Sequence, residues 1–411
     1  MTTLNERHLI YDWNVHESDW RPSQPLEFDD ETLRDGLQSP SVADPHIGDK
    51  LSMLHLIHEL GIPSANIGLP GAGPRARADV LALAQEIVNS RLKIFPNCAA
   101  RTVEADIIPI VETAQQTGIA IEAATFLGSS PIRLYAESWE VDFLRRAVEQ
   151  AVTFVIKQGL PSMFVTEDTI RSHPDTVRLL YATAVQCGAK RVVVCDTVGH
   201  ATPNGVRALI KFVRSVVHAI DPHVKVDWHG HKDRGLSVIN TLAAIEAGAD
   251  RVHGTILGIG ERVGNTPLDL VLVNCKLLGW IDNDLTRLQA YCELVSQKCE
   301  VPIPVNYPVF GRDAFRTGTG VHAAAIIKAK SKGEDWLADR VYSGVPAGWF
   351  GRTQEIEVGH MSGESNVIYW LKTHGFEPER ALIDAIFTKA KSINRNLTEL
   401  EIREAISSVA H

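Results

Sequence analysis

From about residue 26 onward, short runs rich in β-branched and apolar residues alternate with longer stretches whose apolar positions recur at helical spacing. The short runs are Leu26–Asp30, Ser64–Pro70, Leu92–Asn97, Ile119–Phe126, Ser162–Asp168, Arg191–Thr197, Val224–His231 and Arg251–Leu257. Read as strands with helices between them, they specify a parallel sheet wrapped by helices. Eight strands at intervals of roughly 25 to 45 residues suit an α/β fold of the (β/α)8 TIM-barrel type. A doubly wound open sheet is the alternative. Gly61, Gly118, Gly159, Gly188, Gly248 and Gly279 each close a helical run, where a left-handed residue is expected just past the helix end.

The rhythm changes after Gly279. A polar helical segment ends near Cys299 and leads into Val301–Gly311, where three prolines forbid a continued helix. A helical piece over His322–Lys330, a Gly-rich turn over Ser343–Gly351 and two further helices follow. The last of these opens on Thr398 and Glu401, the spacing of a capping box. The expected division is an N-terminal extension (1–25), the barrel (26–282), a linker with a first small subdomain (283–345) and a second one (346–411), both mainly helical.

Composition narrows the partners. With 45% apolar and 22% charged residues the chain has the balance of a soluble globular protein. A net charge of −9, without a Lys/Arg-rich run, speaks against nucleic-acid or anionic-membrane partners and for a small-molecule one. Apolar stretches fall well short of about 18 residues and the N-terminus lacks a signal-peptide core, so a cytoplasmic location is expected. The six cysteines include no C-x-x-C pair and are expected to be reduced and mostly buried.

His229 and His231 stand two apart in a strand, so both imidazoles point to one side. They end the seventh strand, at the face where barrel enzymes carry their catalytic groups. Asp35 lies just past the first strand and Asn265 just past the eighth, and these strands adjoin when a barrel closes. Two imidazoles, a carboxylate and an amide can therefore converge on one divalent cation; Zn²⁺, Mn²⁺, Fe²⁺ and Mg²⁺ all suit such a set.

Four segments in this order, ETLRDGLQSP (31–40), DTVGHATP (196–203), WHGHKDRG (228–235) and GIGERVGN (258–265), resemble the 2-isopropylmalate, citramalate and homocitrate synthase family. The likeness continues through GVHAAAIIK and GRTQEIEVG near the C-terminus. It implies a metal-dependent condensation of acetyl-CoA with a 2-oxo acid, followed by hydrolysis of the CoA ester. On that resemblance Asp35, His229, His231 and Asn265 hold the metal, and Arg34 stands beside the developing oxyanion. Gln38 and Thr197 contact substrate, and Glu167 and Glu261 are active-site carboxylates. His322 and Tyr342 belong to the proton-abstracting machinery of the C-terminal subdomain, which in a homodimer covers the partner's barrel.

Several positions depart from the family pattern. Leu37 replaces a usual Glu, Asn66 replaces a strand-two Glu, and His253 stands where isopropylmalate synthases tend to show Glu. Met163 occupies the place of an arginine with which homocitrate synthases bind a second carboxylate, and Val165 nearby is apolar. A monocarboxylic 2-oxo acid with an apolar, branched or aromatic side chain is therefore expected. A homocitrate-type synthase, a metal-dependent lyase or aldolase, and a non-catalytic metal-binding barrel are the alternatives. The chain ends near the close of the second subdomain, so feedback through the leucine-sensing domain of common isopropylmalate synthases is not expected.

Overall fold

The computed structural model describes residues 6–15 and 20–409. Contacts divide the chain into two compact units, Trp20–Pro302 and a second one formed by Met1–Asp19 with Ile303–His411. The first unit is a closed parallel barrel of eight strands in sequence order: β1 (Glu27–Asp30), β2 (Ser64–Asn66), β3 (Phe95–Arg101), β4 (Glu122–Gly128), β5 (Ser162–Glu167), β6 (Arg191–Asp196), β7 (Lys225–Gly230) and β8 (Arg251–Gly254). Closure is made by β1 on β8, with Glu27 opposite Arg251 and Asp30 opposite Gly254. The open-sheet alternative is thereby excluded. All six glycines expected at helix ends have positive φ, between 67° and 110°.

Strand periodicity sends alternate residues inward. At the N-terminal end of the barrel these are charged rather than aliphatic. Arg251 is fully buried and donates to Asp227 (2.7 Å), Ser64 (2.9 Å) and Glu122 (3.1 Å). Arg191 donates to Asp227 (2.6 Å) and Glu27 (2.9 Å). Asp29 accepts from Ser64 and from Asn97 at 2.7 Å. Outside the barrel wall the helices bury aliphatic stripes such as Val206, Ile210, Val213 and Val217.

The second unit is mainly helical. Here β9 (Arg316–Thr317) pairs in parallel with β10 (Glu355–Ile356), and helices cover Gly320–Ser331, Asp335–Arg340, Glu364–Thr373, Arg380–Lys391 and Glu399–Ser407. Thr398 and Glu401 form the expected capping box. Val367, Leu371, Ile386 and Ile402 centre its apolar core. Among the described residues no helix is long and apolar enough to cross a membrane, and all six cysteines are free, five of them buried.

Asp30 points outward from β1 into the layer of helices, where it accepts from the Thr32 amide (2.8 Å) and the Tyr291 hydroxyl (3.1 Å). Burial pushes its carboxyl up to about 7. A folded-state pKa raised above the unfolded value means that this group's stabilisation is complete below the unfolded pKa and lost as pH rises through 7. Asp30→Asn removes the charge, keeps the Thr32 bond through Oδ1 and lets Nδ2 donate to the Tyr291 oxygen instead. It is expected to shrink the fall in Tm between pH 5 and pH 8 by about 2 °C or more, measured by differential scanning calorimetry.

Candidate active site

Beyond β1 the chain makes a tight turn in which the Glu31 carbonyl accepts from the amides of Arg34 (3.1 Å) and Gly36 (3.0 Å). A side chain on Gly36 would meet Ile259 at 3.0 Å, so glycine lets this turn settle against the β8 loop. Arg34 and Asp35 are thereby aimed over the C-terminal mouth of the barrel.

His229 and His231 arrive there from β7. Their Nε2 atoms lie 3.2 Å apart, and Asp35 Oδ2 is 3.4 Å from the first and 3.8 Å from the second. Two neutral imidazole nitrogens cannot face each other at that distance without a proton or a cation between them. Donor atoms roughly 3 Å apart are what metal–nitrogen bonds of about 2.0–2.1 Å require of adjacent ligands. Burial pushes the His231 imidazole down to about 4, so it is neutral, the form that ligates.

Asn265 comes from the loop after β8. Its residue bridges His231 in antiparallel fashion and its Nδ2 donates to the Ile259 carbonyl at 3.1 Å, while its buried Oδ1 has no partner. An orphaned amide oxygen beside a His–His–Asp cluster completes a nitrogen and oxygen donor set that fits a divalent cation. The loop is wound tightly to achieve this: a Cβ on Gly264 would fall 1.9 Å from the Gly258 carbonyl oxygen.

Below the cluster lies Glu31, 3% exposed. It accepts from Arg34 (2.8 Å), from His229 Nδ1 (3.2 Å) and from His253 Nδ1 (3.1 Å). Burial opposes its ionisation, yet the charge of Arg34 and the hydrogen bonds from both histidines hold it well below the usual carboxylate range. His253 also reaches Asp227 at 3.0 Å; burial disfavours its charge, but its two carboxylate partners raise the imidazole to about 9.

The mouth opens into a cavity. Arg34, Asp35, Gln38, Glu167, Thr197, His229, His231 and Glu261 line one part, and Leu69, Ala124, Phe126, Met163, Val165, Val193 and Cys195 another. Thr197 Oγ1 accepts the Asp168 amide at 2.8 Å, which leaves its own hydrogen free to donate. Burial raises the Glu167 carboxyl, partly offset by Arg133 and Arg34. Glu261 is half exposed at the rim, and its neighbour Arg262 ties the loop to Asp233 (2.8 Å) and the Thr197 carbonyl (2.5 Å).

The barrel residues singled out in the sequence thus gather around one cavity, with Asn265 beside His231 but outside its lining. His322 and Tyr342 form a pair of their own in the second unit, with ring centroids 4.2 Å apart. The sequence reading missed Glu31 and Asp227 and treated His253 only as a departure. The available signal was charge at every second position: Glu27, Asp29 and Glu31 in and just beyond β1, Asp227, His229 and His231 through β7, and Arg251 and His253 in β8.

Fold and site together define a (β/α)8 barrel with a histidine–carboxylate cluster of metal-ligand type at its C-terminal mouth. The family model described as HMGL-like matches residues 26–295, and the chain belongs to that family. The homocitrate synthase AksA of Methanopyrus kandleri is 30% identical over 395 residues, 94% of this chain and 93% of the relative. A protein of the same organism named "Probable 2-isopropylmalate synthase" is 31% identical over 89% of this chain and 69% of its own length. Among solved structures, the HMG-CoA lyase of Brucella melitensis superposes with a TM-score of 0.56 at 18% identity, over 68% of this chain and all (100%) of that one, a likeness of fold.

Asp35→Ala and His231→Ala are each expected to weaken Mn²⁺ binding more than about a hundredfold while the far-UV circular dichroism stays unchanged. Titration of the metal-free proteins, with free Mn²⁺ read by electron paramagnetic resonance, checks this.

Proposed function

We propose that this chain is an acyltransferase that condenses acetyl-CoA with a monocarboxylic 2-oxo acid bearing an apolar, branched or aromatic side chain. The products are a 2-alkylmalate-type hydroxy dicarboxylic acid and CoA. The relatives named as homocitrate and isopropylmalate synthases support the reaction class. The observation that carries the substrate choice is the wall made by Ala124, Met163, Val165, Val193 and Cys195. Arg251 lies behind the Met163 sulfur at 2.9 Å and is already bonded to Asp227, Ser64 and Glu122, and Arg34, which lines the cavity, is paired with Glu31 and Asp35. A second substrate carboxylate would be desolvated there without a free cation, which is costly.

In this reading Asp35, His229, His231 and Asn265 hold the divalent cation, whether Zn²⁺, Mn²⁺ or Mg²⁺. When bound, it supplies a Lewis acid for the keto group of a chelating 2-oxo acid. Arg34, held by Glu31 and by Asp35 (3.2 Å), keeps a fixed positive charge where negative charge develops on the carbonyl oxygen. Thr197 donates its free hydrogen to the oxo-acid carboxylate, and Gln38 contacts the substrate at the rim. Glu167, with its raised pKa, exchanges a proton inside the cavity, and Glu261 sets the charge at its edge. His322, paired with Tyr342, removes a proton from the acetyl methyl group. The resulting carbanion equivalent forms the new carbon–carbon bond, and water then cleaves the thioester to a carboxylate and the CoA thiol.

Thiol release from acetyl-CoA should depend on a divalent cation and be abolished by a chelator. It should show at least about tenfold higher kcat/KM with branched or aromatic 2-oxo acids than with 2-oxoglutarate, as one lost carboxylate contact is worth. Absence of thiol release with every oxo acid, or cleavage of a hydroxyacyl-CoA without condensation, would overturn the proposal.

A further inference from the structure

The cation cluster is not supported from solvent but from inside the barrel. Four side chains form a hydrogen-bonded line: His229 on β7 to Glu31 beyond β1 (3.2 Å), Glu31 to His253 on β8 (3.1 Å), and His253 back to Asp227 on β7 (3.0 Å). We infer that His253, backed by Asp227, is a positioning residue for the metal site: it fixes Glu31, and Glu31 in turn sets the tautomer and orientation of His229 and the position of Arg34. This inference rests on the metal-site reading above.

The chemistry of the donors dictates the direction of the line. An ionised carboxylate only accepts hydrogen bonds. The nitrogen of His229 that faces Glu31 is Nδ1, so that atom carries the hydrogen and the lone pair is left on Nε2, which faces Asp35 and His231. A ring whose Nδ1–H were not engaged could exchange tautomers or turn, and its Nε2 would be lost to the cluster. Glu31 is prevented from swinging because its two oxygens are claimed from different sides, Oε2 by Arg34 and His229 and Oε1 by His253. His253 is prevented from turning because its second nitrogen is held by Asp227, which is itself gripped by Arg191 and Arg251.

Glu31, His229 and His253 also carry metal-ligand atoms within reach of one another. Their contacts of 3.1 and 3.2 Å are nonetheless fully accounted for by hydrogen bonds, and Asp227 closes the outer nitrogen of His253. The arrangement therefore supports one cation at the neighbouring cluster of Asp35, His229 and His231.

The test uses the full chain, stripped of metal. His253→Gln preserves approximate volume but has a single donor nitrogen, so it cannot donate from opposite sides to Glu31 and Asp227 as the two ring nitrogens do. It is expected to raise the Kd for Mn²⁺ by about tenfold to a hundredfold, the usual effect of losing a group that orients a ligand. A residue that merely fills space would lower Tm and leave the Kd of the folded protein untouched. In the metal-free wild type at pH 8, long-range ¹H–¹⁵N spectra are expected to show His229 protonated on Nδ1, and His253→Gln to show a mixture of tautomers. A folded His253→Gln protein with the wild-type Kd overturns the inference. Should that variant not fold, the wild-type spectrum decides alone, since an Nε2–H form of His229 is incompatible with the line of bonds. Wild-type protein that binds no Mn²⁺ overturns the metal-site reading itself, a result distinct from wild-type binding that His253→Gln leaves unchanged.

Discussion

Asp227 is the constraint on which the barrel turns. Its carboxylate is 0% exposed and takes hydrogen bonds from Arg191, Arg251 and His253 at 2.6, 2.7 and 3.0 Å. Burial alone would drive it towards the neutral acid; the two arginines and the histidine hold it well below the ordinary range. Buried charges cost several kcal/mol each unless every partner is in place, and removing a single partner costs about 3–5 kcal/mol. The network therefore tolerates no partial assembly. Through Glu27, Ser64 and Glu122 it also reaches β1, β2 and β4, so a slip of one residue in any of these strands would turn a required hydrogen-bond partner to the outside.

That charged floor divides the cavity above it. The strands β1, β7 and β8 bring carboxylates, imidazoles and an amide to the mouth, while β4, β5 and β6 bring Ala124, Met163, Val165, Val193 and Cys195. The candidate cation ligands and the apolar wall thus lie on different arcs of one closed sheet, with Glu167 at the end of β5 adding a carboxylate to the second. Changes along the second arc would reshape the cavity without disturbing the candidate ligands on the first, the property that lets a single barrel architecture serve many substrates.

Much of this was legible in the sequence. The strand–helix alternation, the glycine stops and the capping box of Thr398 and Glu401 follow local rules that tertiary context did not override. The third strand was misplaced: Leu92 and Ile94 suggested a strand over 92–97, but it runs from Phe95 to Arg101. Cys98, Ala99 and Ala100 are buried in that strand, and such small residues leave little trace in a hydrophobic pattern. The second strand stops at Asn66, and Gly68, at φ 147°, marks the turn away from the barrel. At the site, His229, His231 and Asp35 could be found because the histidine pair ends the seventh strand and Asp35 follows the first, at the one face where a closed barrel brings these ends together. Glu31 and Asp227 were overlooked, because a charged residue in a strand ordinarily reads as a solvent-facing one, although charge recurs there at every second position. Only the closed sheet reveals that every second position faces a sealed interior.

The closure of β1 on β8 has a consequence for the order of events during folding. Asp35 belongs to the first βα unit and His229, His231 and Asn265 to the last two, so the residues of the cluster are among the most distant in sequence that the barrel brings together. Contacts of such long range are entropically the most expensive and form late. An intermediate in which the sheet is still open has no site for a cation, whatever secondary structure it has gained. A metal held at that cluster would therefore act only on the finished ring, and by mass action would deepen that state alone. Capture of an ion there would be in effect a certificate that the first strand has found the last.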